Sequence, residues 1–578
     1  MSINAINPMT TSGKALVMGD DTRSFLATVR SLGRKGIEVH AAPFNMRAPA
    51  LSSRYICKVH LLPYYLNGGV EWLEAMQKLM QAEQFDLIIP CEERSLLPLY
   101  KHQHELPACA LAIPSQRALE AFFDKINTRN LATQLGVPVA KGKQLLTTDT
   151  ADTLLAELTL PIIAKQRKSY SWPELYVRTT VEMIENRSQL DSLLRNTHKD
   201  NGHIFFEQMF AGRGLGVSVL CKQGVVLQAF EHHRAHELSG SSYYRNSAPL
   251  NPARLAAVSR MTVAVEFTGL AMFEFKLNEN TGEWILLEVN ARPWGSMPLP
   301  VAAGIDFPYL LYQMLVKGDL ALRRTYQPNI YGRNLIPDLW QLRSHLQELS
   351  PNRGRQLAHL FRWVSEWRRV LIGCEHHDAM VFDDMRPGWV EIKQFLAEHF
   401  WLRLTSCKRH RSVGTISLAA RIISAQAKGK PVHIVFVCQG NICRSPYAEL
   451  KAKQFFGCMS EQVRFSSAGI LPRNRRGSPS LAIEAAKQHG IDLTNHKSQH
   501  AFEPMMRDAK AIIIFDEINL KNVLDRYPDM QDKVYLICEV IKNNTITEVN
   551  DPNGLDLNVF LQTYGQIDTC INHMKIKS

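Results

Sequence analysis

Apolar and polar residues alternate along the first part of the chain in blocks that predict strands and helices by turns. Lys14-Ala-Leu-Val-Met18 reads as a strand that turns at Gly19. Phe25, Leu26, Val29 and Leu32 recur at helical spacing from about Ser24 to Lys35, and Gly36 stops that helix. Ile37-Glu-Val-His-Ala41 opens a second strand, and Phe85-Asp-Leu-Ile-Ile-Pro90 reads as another. Such alternation predicts a parallel α/β sheet over residues 14–123. A lone Gly19 does not compose a dinucleotide-binding fingerprint, so a nicotinamide cofactor is not expected.

From Asp124 the pattern shifts to short strands and hairpins, predicting an α+β body over residues 124–320. A helix opens at Phe123-Asp124-Lys125 and ends at Gly136-Val-Pro138. Leu160-Pro-Ile-Ile-Ala-Lys165 and Ile204-Phe-Phe-Glu207-Gln208-Met209-Phe210 read as strands, the second breaking at Gly212. Val217–Cys221 and Val225–Phe230 make a hairpin across Lys222-Gln-Gly224. Leu270–Leu277 and Trp284–Arg292 make another across Asn278–Gly282. Between them, Phe230–Glu237 and the polar run Ser239–Arg245 read as loop, where Arg234 either holds an anionic substrate or is simply solvated.

Residues 321–430 turn helical and basic and predict a connector. Leu357, Phe361, Trp363, Val364 and Trp367 lie at helical spacing beside arginines. Such a stripe is expected to pack on a neighbouring domain, with a peripheral anionic membrane surface or an acidic partner as the alternative. Nucleic acid is disfavoured, because no recognised binding motif accompanies the charge. Residues 431–578 return to β/α alternation. Strands are expected at His433–Val437, Val463–Gly469, Ala511–Phe515 and Val534–Cys538, giving a four-stranded parallel sheet with helices on both faces.

The 578 residues exceed what one core accommodates, in keeping with these four segments. Apolar content of 45% with 21% charged residues is that of a soluble globular protein. The first residues lack a basic start followed by an apolar run, and no stretch has eighteen uninterrupted apolar residues, so neither a leader nor a membrane span is expected. Eleven cysteines lie scattered without a disulfide framework, which suits a reducing compartment and points to the cytoplasm. The net charge of +12 is concentrated. From His399 to Ala448 there are eight lysines and arginines and no acidic residue.

Two constellations carry chemistry. Glu288 and Asn290 are two apart on a strand and face one way, and Glu274 lies on the partner strand. Three oxygen ligands converging from a hairpin suit a hard cation, Mg2+ held with nucleotide phosphates, with Mn2+ as the alternative ion. Arg292 just beyond is placed to hold a phosphate. The second constellation is Cys438-Gln-Gly440-Asn441-Ile-Cys443-Arg444-Ser445-Pro446, following an apolar strand. Gly440 permits a tight turn, and Ser445 with Pro446 marks a helix start. Such a loop turns backbone N–H groups toward a phosphate-sized dianion, favours a Cys438 thiolate, and offers the Arg444 guanidinium as a bidentate fork.

The Cys438 loop closely resembles the signature of the low-molecular-weight protein tyrosine phosphatases. That resemblance implies Cys438 as nucleophile, Arg444 as phosphoryl holder, and Asn441 and Ser445 as ordering groups. Asp551, in the only Asp-Pro pair of the chain, then serves as acid and afterwards as base. Cys443 would pair with Cys438 under oxidation. No cofactor is implied for this domain, and its substrate would be a phosphorylated protein or small phosphomonoester. After Asp551-Pro552 comes Asn553-Gly554-Leu555, without the aromatic residues common in members that act on phosphotyrosine. Arsenate reduction ranks low, since Cys538 and Cys570 are far apart.

Lys125, Lys165, Glu207, Glu274, Glu288 and Asn290, in this order and in these contexts, resemble the ATP-grasp superfamily over residues 14–310. The resemblance implies ATP between two lobes. Lys125 and Lys165 would meet its phosphates, and Glu207, Gln208, Met209 and Phe210 its adenine. A carboxylate would be activated for attack by an amine. Gln166–Ser171 contains no glycine where members commonly carry a glycine-rich flap, and Gly214 stands where many have a ribose-binding carboxylate. ATP binding without turnover, as a regulatory or scaffold module, is therefore the alternative.

Overall fold

The computed structural model describes residues 13–63, 65, 68–170, 175, 181–197, 204–238, 241–319, 324–349, 353–396, 432–457, 463–471, 476–501, 503–540 and 548–574. The chain divides into two compact units, Met1–His399 and Phe400–Ser578.

The first unit opens with the expected parallel sheet: β1 Lys14–Met18, β2 Glu38–Ala42, β3 Ile56–Val59, β4 Leu87–Pro90 and β5 Ala110–Leu111, in order 3-2-1-4-5. Helix α1, Ser24–Arg34, buries Phe25, Leu26, Val29 and Leu32 against it, as their spacing requires. A small antiparallel sheet follows, of β6 Gly142–Gln144, β7 Ile162–Gln166, β8 Val181–Ile184 and β9 Ile204–Gln208 in order 6-9-7-8. Helix α2, Lys125–Gln134, precedes it.

The largest sheet has seven strands: β10 Arg213–Lys222, β11 Val225–Leu238, β12 Ser241–Ala248, β13 Gly269–Leu277, β14 Trp284–Asn290, β15 Tyr331–Arg333 and β16 Glu375–His377. Their order is 14-13-10-11-12-15-16, antiparallel except for the β15–β16 pair. Two expectations change here. The polar stretches read as loop instead lengthen β11 and form β12. Their charges are matched once folded: Arg245 with Asp378 at 2.5 Å, Arg254 with Glu231 at 2.5 Å, Arg234 with Glu274 at 2.6 Å. Paired charges can be buried where single ones cannot. Residues 331–396, read as part of a helical connector, add β15 and β16 to this sheet. Arg333 secures them, fully buried, pairing with Glu375 at 2.6 Å, Glu366 at 3.0 Å and Asp338. Three-residue strands are too short to show a period-2 pattern in sequence. Among the other helices of this unit are α3, Arg353–Glu366, and α4, Arg386–Leu396.

The second unit is the four-stranded parallel sheet anticipated: β17 Val432–Cys438, β18 Val463–Gly469, β19 Ala511–Ile514 and β20 Val534–Leu536, in order 18-17-19-20. β17 is buried along its whole length, as its apolar run from Ile434 to Cys438 demands. Helix α5, Arg444–Phe455, starts right after the loop that leaves β17, and α6, Leu557–His573, packs beside it. Tyr447 and Tyr564 stack between these helices, centroids 3.9 Å apart and 2° from parallel. The acid-free basic run from His399 onward lies outside the described residues as far as residue 431.

Candidate active sites

In the second unit, the loop from Cys438 to Ser445 joins the carboxyl end of a central strand to a helix N-terminus. Gly469 ends the neighbouring strand β18, and a Cβ there would come 2.9 Å from the Gly440 carbonyl carbon. The loop is thus pressed against a residue that has no side chain.

Asn441 has φ +53°, in the left-handed region that asparagine tolerates better than most residues. Its polar groups hold it there. The Asn441 carboxamide nitrogen donates to Ser445 Oγ at 2.9 Å and to Ser467 Oγ at 2.8 Å. Its Oδ1 accepts from the Gln499 backbone N–H at 2.8 Å, and His496 Nε2 reaches its carbonyl at 2.7 Å. The Asn441 backbone N–H points at Cys438 Sγ from 3.3 Å, and Ser445 Oγ lies 3.0 Å from the same sulfur. These are the donors a thiolate needs.

Arg444 is buried beside the loop. Its Nη1 binds Asp516 and donates to the Val549 carbonyl at 2.8 Å, while Nη2 lies 2.7 Å from Asp551 Oδ2. Its buried Nε has no protein partner, as expected of a donor kept for an anion. Asp551 is the more exposed member, its side chain 42% accessible, so it faces the mouth of the site. Burial pushes the Cys443 thiol well above its ordinary range, and the nearby Cys438 adds to the shift. Cys443 is therefore held as a neutral thiol beside Cys438. The sequence reading missed Asp516, Ser467, Gln499 and His496. Only Asp516 left a signal, an acidic residue directly after the apolar strand Ala511–Phe515.

In the first unit, Lys125, Glu288, Asn290 and Arg292 line one cleft, together with Glu93, Thr128 and Ser169. Asp124 caps α2 by accepting from the Ile126 and Asn127 N–H groups, and this fixes Lys125 at the helix start. Lys125 Nζ donates to the Gln166 carbonyl at 3.3 Å and to Ser169 Oγ at 3.2 Å. Glu274 stands directly opposite Glu288 across the β13–β14 ladder. The Asn290 carboxamide lies 3.4 Å from Glu274 Oε1 and 3.3 Å from Glu288 Oε1. Three oxygen-bearing side chains thus converge as the hairpin pattern predicts.

Burial pushes the Glu274 carboxyl above its usual range; Arg234 works against this and Glu288 with it. Two facing carboxylates of this kind fit a divalent hard cation, which relieves their repulsion. Arg292 Nη2 touches Asn290 Oδ1 at 3.1 Å and Glu93 at 3.3 Å, while its buried Nε has no protein partner. Arg234, left open between two readings, is an ion-pair partner of Glu274 rather than a solvated loop residue.

Lys165 and Glu207 pair with each other on β7 and β9 and do not line that cleft. Arg129 approaches Glu207 at 3.6 Å from the other side. Gln208 turns its side chain to Thr159, donating to the Thr159 carbonyl at 2.6 Å, so its side chain is committed to the fold. Met209 is exposed, and the Phe210 carbonyl accepts from Lys276 at 3.2 Å.

Residues 433–576 match the family model described as "Low molecular weight phosphotyrosine protein phosphatase". The second unit is a phosphatase domain of that family. Similar curated proteins are a protein-arginine-phosphatase of Bacillus subtilis (strain 168) and the low molecular weight protein-tyrosine-phosphatase PtpB of Staphylococcus aureus. The first is 27% identical over 141 residues, covering 24% of this chain and 93% of that protein. The second is 28% identical over 142 residues, covering 25% and 96%. Over more than half of the chain there is similarity to a solved N5-carboxyaminoimidazole synthetase from Staphylococcus aureus. It has 15% identity and a TM-score of 0.45, and covers 60% of this chain and 88% of that one. An L-amino acid ligase from Bacillus licheniformis gives 16% identity, a TM-score of 0.40, and 56% and 79% coverage. No described helix is long and apolar enough to cross a membrane.

Proposed function

We propose that this chain carries two active centres, a cysteine-dependent phosphomonoester phosphatase and an ATP-dependent centre that activates a carboxylate for attack by an amine. The arrangement of Cys438, Arg444 and Asp551 carries the first half. Cys438 Sγ attacks phosphorus and the bond to the leaving oxygen breaks, with Asp551 donating the proton that oxygen takes up. Arg444 and the loop N–H groups hold the three phosphoryl oxygens as charge builds on them. Asp551, now ionised, takes a proton from water as the water attacks the cysteinyl phosphate, releasing phosphate and restoring the Cys438 sulfur.

Hydrolysis of p-nitrophenyl phosphate by wild type and Cys438→Ser tests this half. Activity should vanish in the variant, and equal rates would sink the assignment. The names of the similar proteins leave tyrosine and arginine phosphate as substrate classes, and a phosphotyrosine peptide assayed beside a phosphoarginine peptide separates them. Asn553-Gly554-Leu555 offers no ring to stack on a phenyl group, which weakens the tyrosine reading.

For the first unit, the cleft that joins Lys125 to Glu288, Asn290 and Arg292 supports Mg-ATP binding. Glu274, Glu288 and Asn290 would hold the ion, which when bound neutralises phosphate charge. Lys125 and Arg292 supply the cations that flank the transferring phosphate. Lys165 with Glu207 and the Met209–Phe210 backbone would form the nucleotide end. The second reading, ATP binding without turnover, draws on Gln166–Ser171, which has no glycine to close over phosphates. ADP release across a panel of carboxylates and amines distinguishes the two. Release with any pair establishes a ligase, and binding without release establishes the regulatory module.

A further inference from the structure

Helix α3 is amphipathic yet holds no buried residue. One face anchors it to the first unit. Trp363 Nε1 donates to Asp338 at 2.7 Å, Glu366 pairs with Arg333 at 3.0 Å, and Gln356 donates to the Leu346 carbonyl at 2.7 Å. The other face is apolar and open. Leu357 is 66% exposed, Phe361 75% and Val364 53%, and Leu360 stands between them. The stripe runs on past the next short helix, Arg368–Leu371, where Leu371 is 88% exposed and Ile372 70%.

Charge along the stripe has one sign. Arg353 precedes Leu357 by one turn, and Arg368 follows Val364 by one turn, both exposed. Between Ser350 and Gly373 the sole acidic residue is Glu366, and it is already held by Arg333 and His236.

We propose that this face docks on a lipid bilayer that presents anionic headgroups. An apolar ridge with arginines at both ends and no free carboxylate matches such a surface. The ridge enters the acyl boundary while the guanidiniums stay at headgroup level. A water-facing helix gains nothing from placing Leu357, Phe361 and Val364 on one line, and an acidic protein groove would leave Leu371 and Ile372 unmatched. Neither proposed activity is needed for the docking, which rests on α3 and its neighbour alone.

Co-sedimentation of the full chain with vesicles of phosphatidylcholine, with and without phosphatidylglycerol, tests the proposal. The chain should pellet with the mixed vesicles at low salt, at least fivefold more than with phosphatidylcholine alone, and should be released by salt. Phe361→Ser with Leu357→Ser should abolish pelleting. Arg353→Glu with Arg368→Glu, which alters only exposed positions, should do the same while hydrolysis of aryl phosphate stays at the wild-type rate. Failure to pellet with either vesicle overturns the proposal. So does pelleting unchanged in both variants. A fall in oligomeric mass on Phe361→Ser without vesicle binding would reassign the face to a second copy.

Discussion

Nη2 of Arg444 lies 2.7 Å from Oδ2 of Asp551, joining the phosphoryl-binding group to the group proposed as proton donor. The two sit more than a hundred residues apart in sequence and come from different elements. Asp516 and the Val549 carbonyl occupy Nη1, which fixes the guanidinium plane while Nε stays open. An anion that takes Nε therefore arrives next to a carboxyl already oriented over it.

Asp551→Asn should accordingly keep substrate binding and lose protonation of the leaving oxygen. The loss should depend on the leaving group, because a good one needs little help. With phenyl phosphate, kcat should fall by roughly 10²–10⁴, the usual range for a positioned acid. With p-nitrophenyl phosphate the fall should be clearly smaller. Equal fractional losses on both substrates would remove Asp551 from the acid role.

Asn441 tests whether its network or merely its backbone conformation organises the loop. Asn441→Ala loses the bonds to Ser445 and Ser467 and forces alanine to φ +53°. Asn441→Gly loses the same bonds and adopts that conformation freely. Alanine should cost about 2–3 kcal/mol in the stability of the phosphatase unit and glycine about 1 kcal/mol less. Both should lower kcat/KM alike, since both free the Ser445 hydroxyl. Wild-type activity in the glycine variant would show that the backbone alone matters. Thermal inactivation of the phosphatase together with steady-state kinetics gives both readouts.

At the hairpin, Glu288→Gln keeps the shape of the side chain and removes one of two facing carboxylates. Affinity for ATP with Mg2+ should fall on the order of tenfold or more, while affinity for ATP with chelator should hold or rise. Titration calorimetry under the two conditions checks this. A uniform loss in both would mean that Glu288 touches nucleotide rather than the ion.

What the sequence revealed follows a physical line. The Cys438 loop, the β17 run and the Glu274–Glu288–Asn290 hairpin were legible because each is local, set by a few adjacent side chains and a strand period. Helix α1 and the parallel sheet were legible for the same reason. The seven-stranded sheet was not. Arg245, Arg234 and Glu231 look like loop residues until their partners Asp378, Glu274 and Arg254 arrive from elsewhere in the chain. Burial of a charge depends on a partner, and sequence spacing does not name partners. The same holds for Asp516, whose bond to Arg444 spans seventy-two positions.

His236 shows such a partnership in a form that pH can read. Burial works against its charge, but Asp338 and Glu366 outweigh burial and hold the imidazolium up to about 9. Glu366 Oε1 lies 3.3 Å from His236 Nε2, and Asp338 Oδ1 lies 3.8 Å from Nδ1. An unfolded histidine titrates near 6.5, so the folded state binds the proton more tightly. The resulting stability is fully present below pH 6.5 and is lost as pH rises through 9. His236→Gln removes the titrating group and leaves Arg333 to balance both carboxylates. The midpoint of thermal unfolding of the first unit should then fall below wild type most at pH 6, and the gap should close by pH 10. A gap of the same size at both ends would assign His236 a packing role against Tyr244, whose ring centroid lies 5.0 Å away, rather than a charged one.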